Sequence, residues 1–222
     1  MGFQAMVLGA TGLVGGFVVK ELLDREEYDE VKVLVRRPLE MEHPKLTQII
    51  LNWEELDQYG DEFVNVRDVF CCLGTTIKKA GSQESFRQID FEYPLHAAKL
   101  AQQAGVRQFL SVSSMGADPA SRIFYSRTKG ELEEALTRLR LSSVHLFRPS
   151  LLLGVRGEKR FGEMAGAWFM TSFDFLFRGN GLKYRAIPAK TVAHAMVNIA
   201  VIGTPGVHIY PNDVIHVLGL VQ

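Results

Sequence analysis

The chain has 222 residues, enough for one α/β domain with a full core and too few for two ordinary domains and a linker. Apolar residues make up 47% of it, and 25 basic side chains balance 25 acidic ones. A net charge of zero argues against the broad positive footprint of a nucleic-acid-binding domain, so no nucleic-acid partner is expected. No charged segment followed by an apolar core opens the chain, and no apolar run approaches the ~18 residues of a membrane span. A cytoplasmic protein without a membrane partner is expected.

The first predicted strand is Phe3 to Leu8. A glycine turn follows, Gly9-Ala10-Thr11-Gly12-Leu13-Val14-Gly15, and then a helical stretch from Leu13 to Leu23. Strand, glycine turn and helix in this order form the first unit of a dinucleotide-binding fold. Glycines let the main chain pass close to a pyrophosphate, and free N–H groups at the helix start point at it. The spacing is Gly-x-x-Gly-x-x-Gly rather than the commoner Gly-x-Gly-x-x-Gly.

Val31 to Val35 reads as the second strand and Thr47 to Leu51 as the third, with a short acidic helix at Glu54 to Tyr59. Val66 to Leu73 is the fourth strand. It contains Cys71 and Cys72, read as small buried hydrophobes in a reducing compartment. A helical pattern runs from Ser82 to Ala104, with Phe86, Ile89, Tyr93, Ala97 and Leu100 on one face. Pro94 inside it should kink or split it, and Gly105 should stop it. Gln108 to Val112 is the fifth strand, Phe124 to Arg140 a helix, and Ser143 to Phe147 the sixth strand. After an irregular stretch come a helix (Lys190 to Ile202), a seventh strand (Val207 to Tyr210) and a last helical turn. Alternating strands and helices predict a doubly wound, mostly parallel α/β (Rossmann) sheet of order 3-2-1-4-5-6-7, spanning residues 1–222 as a single domain.

The residue closing the second strand selects between the two nicotinamide dinucleotides. An acidic side chain there would bind the adenosine ribose and repel a 2′-phosphate. Here Arg36 and Arg37 occupy that point, and arginine clamps phosphate through paired N–H donors. NADP(H) is therefore the expected cofactor. Downstream, Tyr125 and Lys129 form a Tyr-x-x-x-Lys pair on one face of a helix. A lysine ammonium beside a phenol favours the phenolate, so the tyrosine can exchange protons below its free pKa of about 10. Leu132, Leu136 and Leu139 continue that face and direct the pair toward the sheet. The second match, Tyr28 with Lys32, is read as a decoy in an acidic turn. Ser113 and Ser114 end the fifth strand, where a hydroxyl can polarise a substrate carbonyl. The six histidines show no pair at metal-ligand spacing, so no metal is expected.

With Gly9 to Gly15, Cys71 to Thr76, Ser113 to Asp118, Tyr125 with Lys129, and Arg148-Pro149-Ser150, the chain resembles the atypical short-chain dehydrogenase/reductase superfamily, most of all its Tat-interacting-protein branch and bacterial relatives. The resemblance covers nearly the whole chain. It implies that Thr11 to Val14 contact the pyrophosphate, Arg36 and Arg37 the 2′-phosphate, Leu73, Gly74 and Thr75 the adenosine and ribose side, and Pro149, Ser150 and Leu151 the carboxamide. Ser114 aligns with the family's catalytic serine, beside Tyr125 and Lys129. Many relatives carry Asp after the third strand to contact adenine. Here that position is Asn52, followed by Trp53, and an Asn can still pair with the adenine amino group.

Residues 154–186 should cover the substrate, a small molecule. They hold Phe161, Trp168, Phe169, Phe173, Phe175 and Phe177, flanked by Arg156, Lys159, Arg160 and Arg178. Aromatics at such spacing are more often packing or a subunit interface than a substrate lid, and a homodimer is left open. The expected activity is NADP(H)-dependent oxidation or reduction of an alcohol or carbonyl. The alternative is an NADPH-binding sensor with little chemistry. Nucleotide-sugar epimerase or dehydratase chemistry uses the same three residues but calls for a C-terminal domain larger than about 70 residues.

Overall fold

A computed structural model describes residues 2–154 and 183–220. In chain order its elements are β1 (Phe3–Leu8), α1 (Leu13–Asp24), β2 (Tyr28–Val35), β3 (Leu46–Ile50), a 3-10 segment (Trp53–Phe63) and β4 (Val66–Cys71). Two short helices, α2 (Ile77–Ala80) and α3 (Gln83–Arg87), lead through a π turn (Gln88–Glu92) into α4 (Tyr93–Gln103). Then come β5 (Gln108–Val112), α5 (Phe124–Thr137), β6 (Ser143–Arg148), β7 (Leu152–Leu153), β8 (Ile187–Pro188), α6 (Ala189–Ile202), β9 (Gly206–Pro211) and α7 (Asn212–Leu218).

Seven strands form one sheet in the order β3-β2-β1-β4-β5-β6-β9, every neighbouring pair parallel. This is the doubly wound order expected from the sequence, with β9 as its seventh strand. Parallel strands need crossovers, and helices supply them on both faces. Alternation along each strand therefore feeds two cores. Val7, Val33, Phe70 and Phe147 pack under α1 and α6 with Val18, Leu22 and Met196. Met6, Leu8, Val69, Phe109 and Leu146 pack on the other face with Leu56, Ala97 and Leu132. The strand order reverses between β1 and β4, so a crevice opens at their carboxyl ends.

Two expectations need correction. The second strand begins three residues earlier than Val31, at Tyr28. Tyr28 is therefore no turn residue: it is fully buried and donates its hydroxyl to Asp68 Oδ2 at 2.7 Å. The helix expected over Ser82 to Ala104 is in fact three segments. Pro94 has no N–H for the carbonyl four residues back and would collide with it. The chain widens there into a five-residue π turn, with the Tyr93 N–H reaching Gln88 O, and Pro94 sits in the first turn of α4. The covering segment lies largely outside the described residues, and with it the six aromatics from Phe161 to Phe177 and the four flanking basic residues.

Candidate active site

The glycine turn joins β1 to α1 at the switch point. Gly9 has φ +81°, and a Cβ on it would lie 2.5 Å from the Cys72 carbonyl oxygen. A Cβ on Gly15 would lie 2.2 Å from the Gly9 carbonyl oxygen. Only glycine permits the turn and the close seating of α1 against it. Gly12 caps α1 without a side-chain hydrogen bond, and no acidic residue stands in the first turn. The opening N–H groups of α1 and its dipole therefore face the crevice unopposed, as an anion requires. Thr11 is exposed, Leu13 half-buried and Val14 buried. Leu13 also touches the far side of the site, because a Cβ on Gly154 would meet its side chain at 2.6 Å.

Arg36 and Arg37 are exposed just past β2, at the same edge of the sheet. Asn52 caps the 3-10 segment by accepting from the Glu54 N–H at 3.3 Å. Trp53 is buried in the core and stacked on Tyr93 with ring centroids 5.8 Å apart. Leu73, Gly74 and Thr75 follow β4 beside Gly9. Pro149, Ser150 and Leu151 follow β6. The Ser150 hydroxyl donates to the Arg185 carbonyl at 2.5 Å, and its N–H donates to Asn212 Oδ1 at 2.9 Å. Ser150 therefore ties the loop after β6 to the chain at Arg185, just ahead of β8, and to Asn212.

The reactive side chains meet at the carboxyl ends of β4 and β5. Ser113 and Ser114 are buried just past β5, where Ser113 N–H still pairs with Phe147 O at 2.7 Å. Ser113 Oγ finds no hydrogen-bond partner among the described residues. Tyr125 opens α5, with its hydroxyl hydrogen-bonded to that of Ser114 and its ring against Phe86. Lys129 lies one turn on and is buried, as the core-facing stripe implied. The connection from Ser114 to α5 crosses back over the helix at Gly130. A Cβ there would overlap the Pro119 nitrogen at 2.2 Å, so glycine brings the loop onto the turn that carries Lys129. On the sheet side, Arg148 grips Glu133 of α5 through Nε, at 3.0 and 3.1 Å, and through Nη2.

One residue of this site escapes the sequence reading. Asp90, in the π turn, is buried and paired with Lys129 Nζ at 2.7 Å, and it accepts the Thr75 N–H at 2.8 Å. Helical spacing had put Ile89 and Tyr93 on the inner face; the π turn shifts the phase and brings Asp90 in. Pro94, four residues on, was the available signal, because it breaks the ladder at that residue. Burial pushes the Tyr125 phenol above its usual range. Lys129 and the Ser114 hydrogen bond pull it down, Asp90 pushes it up, and the balance stays high. Burial would depress Lys129, but Asp90 and Tyr125 outweigh it and hold the ammonium above its usual range. Burial lifts the Cys71 thiol to about 11, so it is neutral next to this cluster.

A glycine turn at the switch point of a parallel sheet, with Ser, Tyr and Lys converging beside it, defines a dinucleotide-binding protein of the short-chain dehydrogenase build. A family model described as NAD(P)H-binding matches residues 9–150. Protein HTATIP2 of Rattus norvegicus is 35% identical over 198 residues, covering 88% of this chain and 80% of its own. Protein FMP52, mitochondrial, of Debaryomyces hansenii is 30% identical over 203 residues, covering 89% of this chain and 87% of its own. The solved structure of MoeE5 in complex with UDP-glucuronic acid and NAD shares the fold, with TM-score 0.72 at 20% identity over 94% of this chain and 76% of that one. The chain belongs to the NAD(P)H-binding family and, with these relatives, to the atypical short-chain dehydrogenase/reductases.

Proposed function

We propose that this protein is an NADP(H)-dependent oxidoreductase acting on a small carbonyl compound or the corresponding alcohol. The observation that carries the reading is the convergence of Ser114, Tyr125 and Lys129 on one point beside the glycine turn. The turn suits a pyrophosphate, because Gly9 and Gly15 admit no side chain and α1 begins without a competing cap. When bound, such a cofactor supplies or accepts a hydride at the substrate carbon. The remaining chemistry belongs to the chain. Ser114 hydrogen-bonds the substrate oxygen as charge develops on it. Tyr125 passes a proton to that oxygen or takes one from it. Lys129 acts on Tyr125 through its charge and reaches toward the ribose hydroxyls.

Arg36 and Arg37 support NADP(H) over NAD(H). Both are exposed where a 2′-phosphate would lie, and no acidic residue closes β2. Replacing both by alanine should weaken NADPH binding at least about tenfold while leaving NADH nearly unchanged, given the strength of charge-assisted phosphate contacts. Equal loss for the two dinucleotides would overturn the assignment. A reducing compartment, the cytoplasm, fits two adjacent cysteines that stand as free thiols, Cys71 buried and Cys72 half-buried.

The test of the activity is a panel of aldehydes and ketones with NADPH consumption followed optically. Tyr125→Phe should abolish turnover, by a factor of about a hundred or more, and still bind NADPH. Undiminished turnover in that variant rejects the mechanism. Tight NADPH binding with no turnover on any substrate would favour a cofactor sensor.

A further inference from the structure

We infer that Asn212, the first residue of α7, is a positioning residue that fixes the loop after β6 for the nicotinamide end of the bound dinucleotide. The inference rests on the dinucleotide reading above and makes α7 part of that site. Asn212 lies 62 residues beyond Ser150 and outside residues 9–150 of the family model, so spacing along the chain gives no sign of it. It is fully buried. Its Oδ1 accepts the Ser150 N–H at 2.9 Å, and its Nδ2 donates to the Arg185 carbonyl at 2.8 Å. A buried carboxamide is costly unless its oxygen and its nitrogen are both bonded. Partners on two other segments therefore hold this one to a single orientation, since turning the amide over would break both bonds.

The loop that Asn212 holds lies beside the reacting groups. Pro149 O accepts the Met115 N–H at 3.0 Å, one residue past Ser114. Leu151 O accepts the N–H of Ile187, the first residue of β8, at 2.9 Å. The Ser150 hydroxyl meets the same Arg185 carbonyl that Asn212 binds. Pro149, Ser150 and Leu151 are thus tied to the Ser114 loop, to α7 and to β8 in turn. Farther along, Gly154 lies against Leu13 at the start of α1, where a Cβ would stand 2.6 Å from the Leu13 side chain. The chain after β6 therefore runs from the Ser114 loop to the glycine turn. A hydride donor has to stand beside the substrate carbon whose oxygen Ser114 and Tyr125 hold. That requirement puts the nicotinamide end, not the adenosine end, against Pro149 to Leu151.

α7 is itself braced from behind. Ile215 is fully buried, and Asn198 Nδ2 of α6 donates to the Leu218 carbonyl at 3.2 Å. A Cβ on Gly219 would overlap the Thr191 carbonyl oxygen at 2.4 Å, so the end of α7 lies directly on α6. At its start, β9 runs parallel to β6 and pairs Pro211 with Arg148, which sets Asn212 level with the point where β6 gives way to the loop. A helix fastened to α6 thus reaches the loop through one amide. Without that amide the Ser150 N–H loses its partner, and the neighbours that meet Met115 and Ile187 lose a fixed point between them. The adenosine end is remote from this change. β1, β4 and β5 stand between β6 and β2, a separation of roughly 19 Å at ordinary strand spacing, and Arg36 and Arg37 follow β2.

The experiment compares two probes on the whole chain by calorimetric titration: NADPH, and 2′-phospho-ADP-ribose, which is the same molecule without its nicotinamide. Asn212→Ala should weaken NADPH binding about tenfold or more and leave 2′-phospho-ADP-ribose within about twofold of the wild type. Equal loss for the two ligands, which is what a merely structural role produces, overturns the inference, and so does loss for neither. The wild type supplies a second measurement that needs no variant. Coupling is reciprocal: if the Asn212 contacts favour the nicotinamide, the nicotinamide favours those contacts. NADPH should therefore slow hydrogen exchange at the Ser150 N–H and along α7 more than 2′-phospho-ADP-ribose does. Identical exchange there with the two ligands overturns the inference even if Asn212→Ala does not fold. Neither measurement depends on turnover. A wild type that binds neither probe would remove the dinucleotide reading and this inference with it, whereas one that binds both, with a variant that loses them equally, would remove the inference alone.

Discussion

At the scale of single residues, the glycines of the first turn carry the sharpest requirement. Gly9 needs a left-handed backbone and has a carbonyl 2.5 Å from where a Cβ would be. Gly9→Ala should lower stability by about 1–3 kcal/mol, from positive-φ strain plus backbone overlap, and should abolish dinucleotide binding. A denaturation midpoint and a binding isotherm for the variant measure the two effects, and a variant that binds normally would deny the turn its place at the pyrophosphate. The turn was legible in the sequence because glycine spacing after an apolar strand encodes backbone conformation directly. Lys129 was legible because its neighbours Leu132 and Leu136 share its face. Asp90 was not, because its role depends on a local change of helical period, and periodicity assumes a constant one.

At the scale of elements, α5 is the part that must be held still. Its first turns carry Tyr125 and Lys129, and three unrelated contacts fix it: the loop crossing at Gly130, the Arg148–Glu133 pair from β6, and Phe86 from α3. Gly130→Ala must displace Pro119 or tilt the helix, since the overlap is with backbone. It should cost about 2 kcal/mol or more and depress turnover more than cofactor binding, because the loop carries Ser114. Thermal unfolding and separate kcat and KM measurements would show it; a stable, fully active variant would mean that the loop is free to move. In the sequence Gly130 was one glycine inside a helix, and nothing local told that another segment passes over it. The strands read more easily. β1 and β5 were bounded correctly because a buried parallel strand is a continuous apolar run between turn residues. β2 extended to Tyr28 because a buried polar side chain there finds its partner, Asp68, in a distant strand.

At the scale of the whole molecule, chemistry gathers at the carboxyl edge of the sheet and a polar seam lies toward the other. Tyr28 donates to Asp68, Gln108 Nε2 donates to Asp68 Oδ1 at 2.6 Å, and His145 bridges Gln108 Oε1 at 3.2 Å to the Tyr210 hydroxyl at 3.0 Å. Burial, helped by the charge of neighbouring His208, lowers the His145 pKa from 6.5 to about 4. The unfolded chain then binds a proton that the folded one refuses, so stability falls as pH drops from 6.5 toward about 4. Asp68 works in the opposite sense, since burial raises its pKa and the folded state takes up a proton first. His145→Gln should flatten the loss in that window relative to the wild type in urea denaturation at stepped pH. Parallel curves for the two proteins would remove His145 from the account.

The packing of α1 against α6 has a bearing on how the protein is made. Arg25 at the end of α1 donates to Asn198 Oδ1 at 2.6 Å, and His194 pairs with Glu21 at 2.7 Å, so the first helix closes against one from the far end of the chain. During synthesis the glycine turn and α1 leave the ribosome well before α6. Until residues near 200 emerge, Val18, Leu22 and their neighbours lack half of the layer that buries them. A nascent chain halted after Ser150, which already holds the whole stretch matched by the NAD(P)H-binding family, should remain collapsed, protease-sensitive and dependent on chaperones. The segment that recognises the dinucleotide is thus complete in sequence well before it is complete as a folding unit.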